Sequence, residues 1–274
     1  MVAVKYMGEF DYIPSIPACV VFIILFGITT IVHFFQLVRG RTWFFIPFIC
    51  GGIFEFVGYI ARAISSNQYP DYKMGPLSIQ AVLVIVAPSL LAASIYMELG
   101  RIMILTGGED LSLIRRSWLT KVFVIGDIVS FFVQAGGASM LVKASTAEKG
   151  GKVVKIGLII QIIFFGLFMI TSVIFHVRLQ KRGTMLPQND AISWKRHQTM
   201  LYISSLLILI RCIFRYIEYN QGSDGTLLQH EFWSYIFDAA LMFLAMAGFN
   251  VVHPAEITWV IKQRKFGRET ELVG

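Results

Sequence analysis

The sequence predicts an all-α, polytopic membrane protein. It expects seven transmembrane helices, an outside N-terminus, a cytoplasmic C-terminus and a short amphipathic C-terminal helix. Three observations carry this. Mean hydropathy is +0.67 and only 15% of the 274 residues are charged, against roughly 25% in soluble domains. The apolar residues gather into seven runs of about 20 residues, the length a helix needs to cross a bilayer. Lys and Arg gather in alternate loops instead of being spread evenly.

The spans are expected at 17–38, closed by Arg39 and Arg41; at 43–65; and at 77–99, bent at Pro88. The others are expected at 119–142, 153–177, 198–219 and 232–253, the last stopped by Pro254. Beyond Pro254, AEITWVIKQRKFGR alternates apolar and basic residues at helical spacing and reads as an interfacial helix on the cytoplasmic leaflet. The organisation is therefore an extracellular segment at 1–16, a transmembrane domain at 17–254 and a cytoplasmic helix and tail at 255–274. The first sixteen residues include Lys5, Glu9 and Asp11 and lack an apolar signal core, so the first span is expected to target the membrane itself.

Orientation follows from the basic residues, because cytoplasmic loops retain Lys and Arg. With the N-terminus outside, fifteen of the 24 fall in cytoplasmic segments and six in outer ones. The other three, Arg62, Arg211 and Arg215, lie inside spans. The formal charge of +7 thus reports topology, not nucleic-acid binding. Cys19, Cys50 and Cys212 all fall inside spans and read as small core hydrophobes. There is no Asn-x-Ser/Thr acceptor and no phosphate-binding loop.

Charges inside spans are the functional signal, since each costs about 2.5–3.5 kcal/mol on insertion scales. In the sixth span Arg211, Arg215 and Glu218 are spaced i, i+4, i+7 and share one helical face. Glu55 and Arg62 share a face of the second span, as do Glu231 and Asp238 of the seventh. At about 1.5 Å per residue, Arg62, Arg211, Arg215, Glu218, Glu231 and Asp238 fall in the outer half and balance in charge. They are expected to wall a polar, outward-opening cavity, with Gln80 and Gln161 at its margin. The bland alternative is a closed salt-bridge network. Glu55 and Asp127 fall deeper, without a cation at their depth, and Gln134 shares the Asp127 face; these are the proton-coupling candidates. Glu98 reads as an interfacial charge that reaches water. His33, His176, His197 and His253 read as interfacial histidines; His253, the only metal or haem candidate, is a lone residue, so no metal or other cofactor is expected.

The stretches FEFVGYIAR (54–62), LSIQAVLVIVAPSLLAASIYMELGRI (77–102), VFVIGDIVSFFVQAGG (122–137), GLIIQIIFF (157–165), IRCIFRYIEYNQG (210–222) and HEFWSYIFDAALM (230–242), with His253-Pro254, carry a resemblance. In this ordered set the chain resembles the fungal lipid-translocating exporter family. That group includes aminocholesterol-resistance proteins, sphingoid long-chain-base exporters and a protoporphyrin transporter. The resemblance implies a seven-span protein of the plasma membrane or an endomembrane. It also implies a role in moving amphiphiles between leaflets, or in resistance to them. The leading reading is a non-enzymatic exporter whose partners are membrane lipids or amphiphilic small molecules. Two other classes compete: a seven-helix receptor, argued from fold alone, and a zinc-dependent intramembrane lipid hydrolase, which would need a histidine cluster.

Overall fold

A computed structural model of the chain describes residues 15–68, 73–141, 145–182, 194–221 and 226–271. Every long element is a helix, and no strand occurs among the described residues. Seven of the helices are long and apolar enough to cross a membrane. The first five are α1 (Ile16–Gly40), α2 (Ile46–Ser66), α3 (Met74–Thr106), α4 (Arg116–Leu141) and α5 (Ala147–Arg182). Then come α6 (Trp194–Gln221) and α7, which is assembled from Glu231–Ser234, a π-helical turn at Tyr235–Ala240 and Leu241–Val251. The C-terminal helix α8 covers Ala255–Glu271. Residues 1–14 and 272–274, the ends of the expected outer segment and tail, lie outside the described residues.

Several helices outrun the expected spans. α5 starts six residues early and ends five late, because helical hydrogen bonding continues past the point where the sequence stops being apolar. α1 ends in a left-handed residue, Arg41, with φ of 49°. α3 ends at Gly107, whose φ of 64° suits glycine; the Gly108 N–H then reaches back to the Met103 carbonyl. Arg264 of α8 donates to the Leu105 carbonyl at the same end, at 3.1 Å.

The surface of the bundle is apolar where lipid tails would lie. Ile24, Ile28, Ile31 and Phe35 of α1 are each more than half exposed, and Phe132 of α4 is 67% exposed. The inside is aromatic: Phe45, Phe48 and Phe249 pack together, as do Tyr96, Phe123 and Phe168.

Small residues set the tightest contacts, since nothing but close packing and hydrogen bonds favours helix pairing in lipid. A Cβ on Gly157 would stand 3.0 Å from both the Gln134 nitrogen and the Ser130 carbonyl oxygen. That approach lets Ser130 Oγ donate to the Gly157 carbonyl at 2.7 Å. α1 and α7 are joined by polar rungs instead: His33 Nε2 lies 2.9 Å from the Met246 carbonyl, and Gln36 donates to that of Asn250 at 2.8 Å.

Candidate functional site

The three arginines inside the spans each find a carboxylate. Arg211 of α6 is paired through Nε with Asp238 of α7. Arg215 donates to Glu218 on its own helix at 2.8 Å. Arg62 of α2 lies 3.4 Å from Glu231 at the start of α7. All six side chains are between 4% and 15% exposed. The residues that the sequence placed in one outer group are thus brought together from α2, α6 and α7. In this structure they pair with one another.

Arg211 has a second role that the sequence did not announce. Pro88 sits inside α3 and has no N–H, so the carbonyl four residues earlier, that of Val84, loses its helical donor. Arg211 Nη2 supplies the replacement at 2.7 Å. The side chain therefore ties α6 to a break in the hydrogen bonding of α3 while pairing with Asp238. Asp238 itself lies in the π-helical turn of α7. Such turns carry an extra residue and are frequent at functional sites.

Around the charges stands an aromatic wall. Phe22 stacks on Tyr235 with centroids 5.4 Å apart, and Phe26 stacks on Tyr59 at 5.5 Å. The Arg62 guanidinium lies over the Tyr235 ring at 5.2 Å, a cation–π contact that adds to its pairing. Tyr235 OH also lies 3.2 Å from Cys19 Sγ. Glu231 closes the wall by accepting the Ser15 N–H at 2.9 and 2.8 Å, which satisfies a donor at the start of α1.

Glu55 has electrostatic neighbours that its depth along the helix does not suggest. Counted along the helix it was deep and paired in depth with Asp127. In the structure it is 1% exposed and interacts electrostatically with Arg211, Asp238 and Arg215. Its Oε1 has no hydrogen-bond partner among the described residues. Together with Glu55 the cluster holds, among the described residues, four carboxylates and three arginines. Asp127 is elsewhere, with Oδ2 accepting from Tyr96 OH at 2.9 Å. Gln134 and Gln161 form a separate uncharged bridge: Gln134 donates to Gln161 at 3.0 Å, and Gln161 to Ser89 at 3.4 Å. Gln80 is buried on α3, one turn before Val84, with its Oε1 unbonded among the described residues.

At the opposite end of the bundle two expectations are corrected. Glu98 does not reach water, and His197 is not interfacial: both are wholly buried, and they face each other at 3.5 Å. The sequence could not show this, because the contact is made across α3 and α6 and roofed by α8. His33 and His253 are also buried, with rings 5.9 Å apart. His253 Nδ1 accepts the Ala255 N–H at 3.2 Å, which begins α8. Among the described residues no three His, Cys, Asp or Glu side chains gather as metal ligands.

A separate lipid-facing groove of about 420 Å³ lies between α5 and α6, lined by Met169, Val173, Leu206 and the His176–Tyr202 pair. It is apolar except for that pair and Gln180, and does not touch the arginine cluster.

The model of a family described as RTA1-like protein matches residues 48–262, which include every element of the cluster. The chain is 35% identical to protoporphyrin uptake protein 1 of Saccharomyces cerevisiae, over 88% of this chain and 90% of that one. It is 42% identical to protein RTA1 of the same yeast, over 77% of this chain and 65% of that longer protein. A sphingoid long-chain base transporter, RSB1, is 25% identical over 88% of this chain and 72% of its own length. No solved structure matches the chain.

Proposed function

The chain belongs to the RTA1-like family, and from that premise we propose that it is an exporter of amphiphiles which receives their polar heads at the arginine–carboxylate cluster. A relative named as a sphingoid long-chain base transporter and one named as a protoporphyrin uptake protein support transport over an enzyme. The observation that carries it is Glu55, a buried carboxylate beyond the three that pair with the arginines among the described residues. An uncompensated carboxylate in hydrocarbon calls for a proton or a cationic group, and the amine of a long-chain base is such a group. An anionic head would instead take the arginines. A cavity forms when the pairs part. Arg215 and Glu218 share one helix, so their bond opens by side-chain rotation alone. Arg211–Asp238 opens when the π-helical turn of α7 shifts. We place the cluster in the outer half of the plasma membrane, with α8 cytoplasmic.

The test is transbilayer movement of a fluorescent long-chain base in vesicles holding purified protein. Wild type is expected to accelerate it and Glu55→Gln to abolish the acceleration. Movement no faster than in protein-free vesicles sinks the proposal. A protoporphyrin arm separates the charge classes, since Glu55→Gln should spare an anionic cargo.

A further inference from the structure

We propose that Glu98, His197 and Glu256 form an exchangeable proton site, reached from the face of the bundle that carries α8. The geometry is a chain of three groups from three helices. Glu98 of α3 and His197 of α6 are 0% exposed, with Oε1 and Nδ1 3.5 Å apart. On the other side of the ring, His197 Nε2 lies 3.2 Å from Oε2 of Glu256 in α8. Glu256 is 41% exposed and is gripped by Arg196, which stands 2.7 Å from both carboxylate oxygens.

The protons follow from what each atom can do. A carboxylate and a bare imidazole nitrogen are both acceptors. Nε2 faces the Glu256 carboxylate and therefore carries a hydrogen. Nδ1 then faces Glu98, and with no proton between them two lone pairs would meet in a dry site. That leaves a buried charge unsatisfied. One proton must sit there, on Nδ1 as part of an imidazolium or on the Glu98 carboxyl. Neither Glu98 oxygen nor His197 Nδ1 has a geometrically formed hydrogen bond among the described residues, so this proton is not locked into a network. Entry needs no other reactant. In release, the Glu98 proton moves to Nδ1 while Nε2 gives its hydrogen to the Glu256 carboxylate, which passes it to water. The ring ends in its other tautomer, and the reverse sequence restores it.

The charged and titratable neighbours are few. α1 brings His33, which acts on His253 in the link between α7 and α8, and His253 acts in turn on His197 and Glu256. α3 brings Arg101, whose guanidinium lies over Phe44. α6 brings Arg196, and α8 brings Arg264, held on the Leu105 carbonyl. Asp127 of α4 is turned to Tyr96, and His176 of α5 to Tyr202. His197 is the group that acts on Glu98 itself.

The site was not among the proton candidates that depth along the helices suggested. If the amphiphile reading holds, it would give the transport cycle a proton to couple to, but the test uses no cargo, so each can fail alone. Full-length protein in lipid bilayers is examined by infrared difference spectroscopy between about pH 5 and pH 9, the range that brackets histidine. Wild type is expected to lose one protonated-carboxyl band or one imidazolium signature as pH rises. Glu98→Gln is expected to release one proton fewer than wild type, because a Gln amide can donate to Nδ1 without titrating. Glu256→Gln, which leaves the buried pair intact, is expected to retain the titration but to slow its response to a pH jump several-fold. On wild type alone, nitrogen-15 NMR of the His197 ring should titrate with the same midpoint. An unchanged proton count in Glu98→Gln, or His197 signals that do not move with pH, overturns the proposal.

Discussion

Arg211 offers the sharpest test of how this bundle is held. Replacing it with Met keeps most of the side-chain length and removes every donor. Two partners are then stranded. Asp238 loses its counter-ion, and breaking one side of a buried pair costs about 3–5 kcal/mol. The Val84 carbonyl loses the only side-chain donor seen on it, and an orphaned buried acceptor costs about 1–3 kcal/mol. The second loss has a specific remedy. Pro88→Ala restores an N–H at the position that would normally serve Val84. In wild type the carbonyl already has Arg211, so the new N–H gains less. The stabilisation by Pro88→Ala should therefore be larger by about 1–3 kcal/mol in the Arg211→Met background. Equilibrium unfolding of the four proteins in mixed micelles, closed as a double-mutant cycle, measures that difference. Additivity within about 0.5 kcal/mol would refute the claim that Arg211 stands in for the donor that Pro88 lacks.

Other expectations follow from the same geometry. Gly157→Val should destabilise the α4–α5 pair by about 1–3 kcal/mol, because backbone atoms of Ser130 and Gln134 occupy the space; thermal unfolding of purified protein checks it, and Gly166→Val, with nothing within 4 Å of its Cβ position, serves as control. Glu231→Ala should release the first turn of α1 at a cost of about 1–2 kcal/mol, as lost caps do, seen as faster hydrogen exchange at residues 15–19. Glu256→Ala should change global stability by only about 0–1 kcal/mol, since its pairing with Arg196 is half in solvent, yet expose α8 to limited proteolysis.

How much of this was legible in the sequence depends on what each feature rests on. The seven spans rest on apolar runs, and these are local. The outer cluster was legible because Arg211, Arg215 and Glu218 repeat at helical spacing, and because Glu231 and Asp238 do the same on α7. The neighbours of Glu55 were not legible because counting 1.5 Å per residue assumes upright helices, while an electrostatic partner is set by tilt and rotation as well. Glu98 and His197 were hidden for a different reason. Each sits near the end of an apolar run, where water is the default neighbour, and the fold-back of α8 after Pro254 sets Glu256 against His197 instead. The service of Arg211 to Val84 combines a local signal, Pro88, with a partner 127 residues away. The π-helical turn around Asp238 has no local signature in YIFDAA.

The two contacts that bind α3 to α6 share an arithmetic. Val84 and Glu98 are 14 residues apart on one helix, and His197 and Arg211 are 14 apart on the other, running the opposite way. At 1.5 Å per residue the two pins are about 21 Å apart on both helices. Equal spacing means that α3 and α6 cannot slide past each other without drawing both pins together. The upper pin is an arginine paired with a carboxylate, and the lower is a carboxylate–imidazole contact. A pair of helices fastened this way keeps its register at two points of different chemistry.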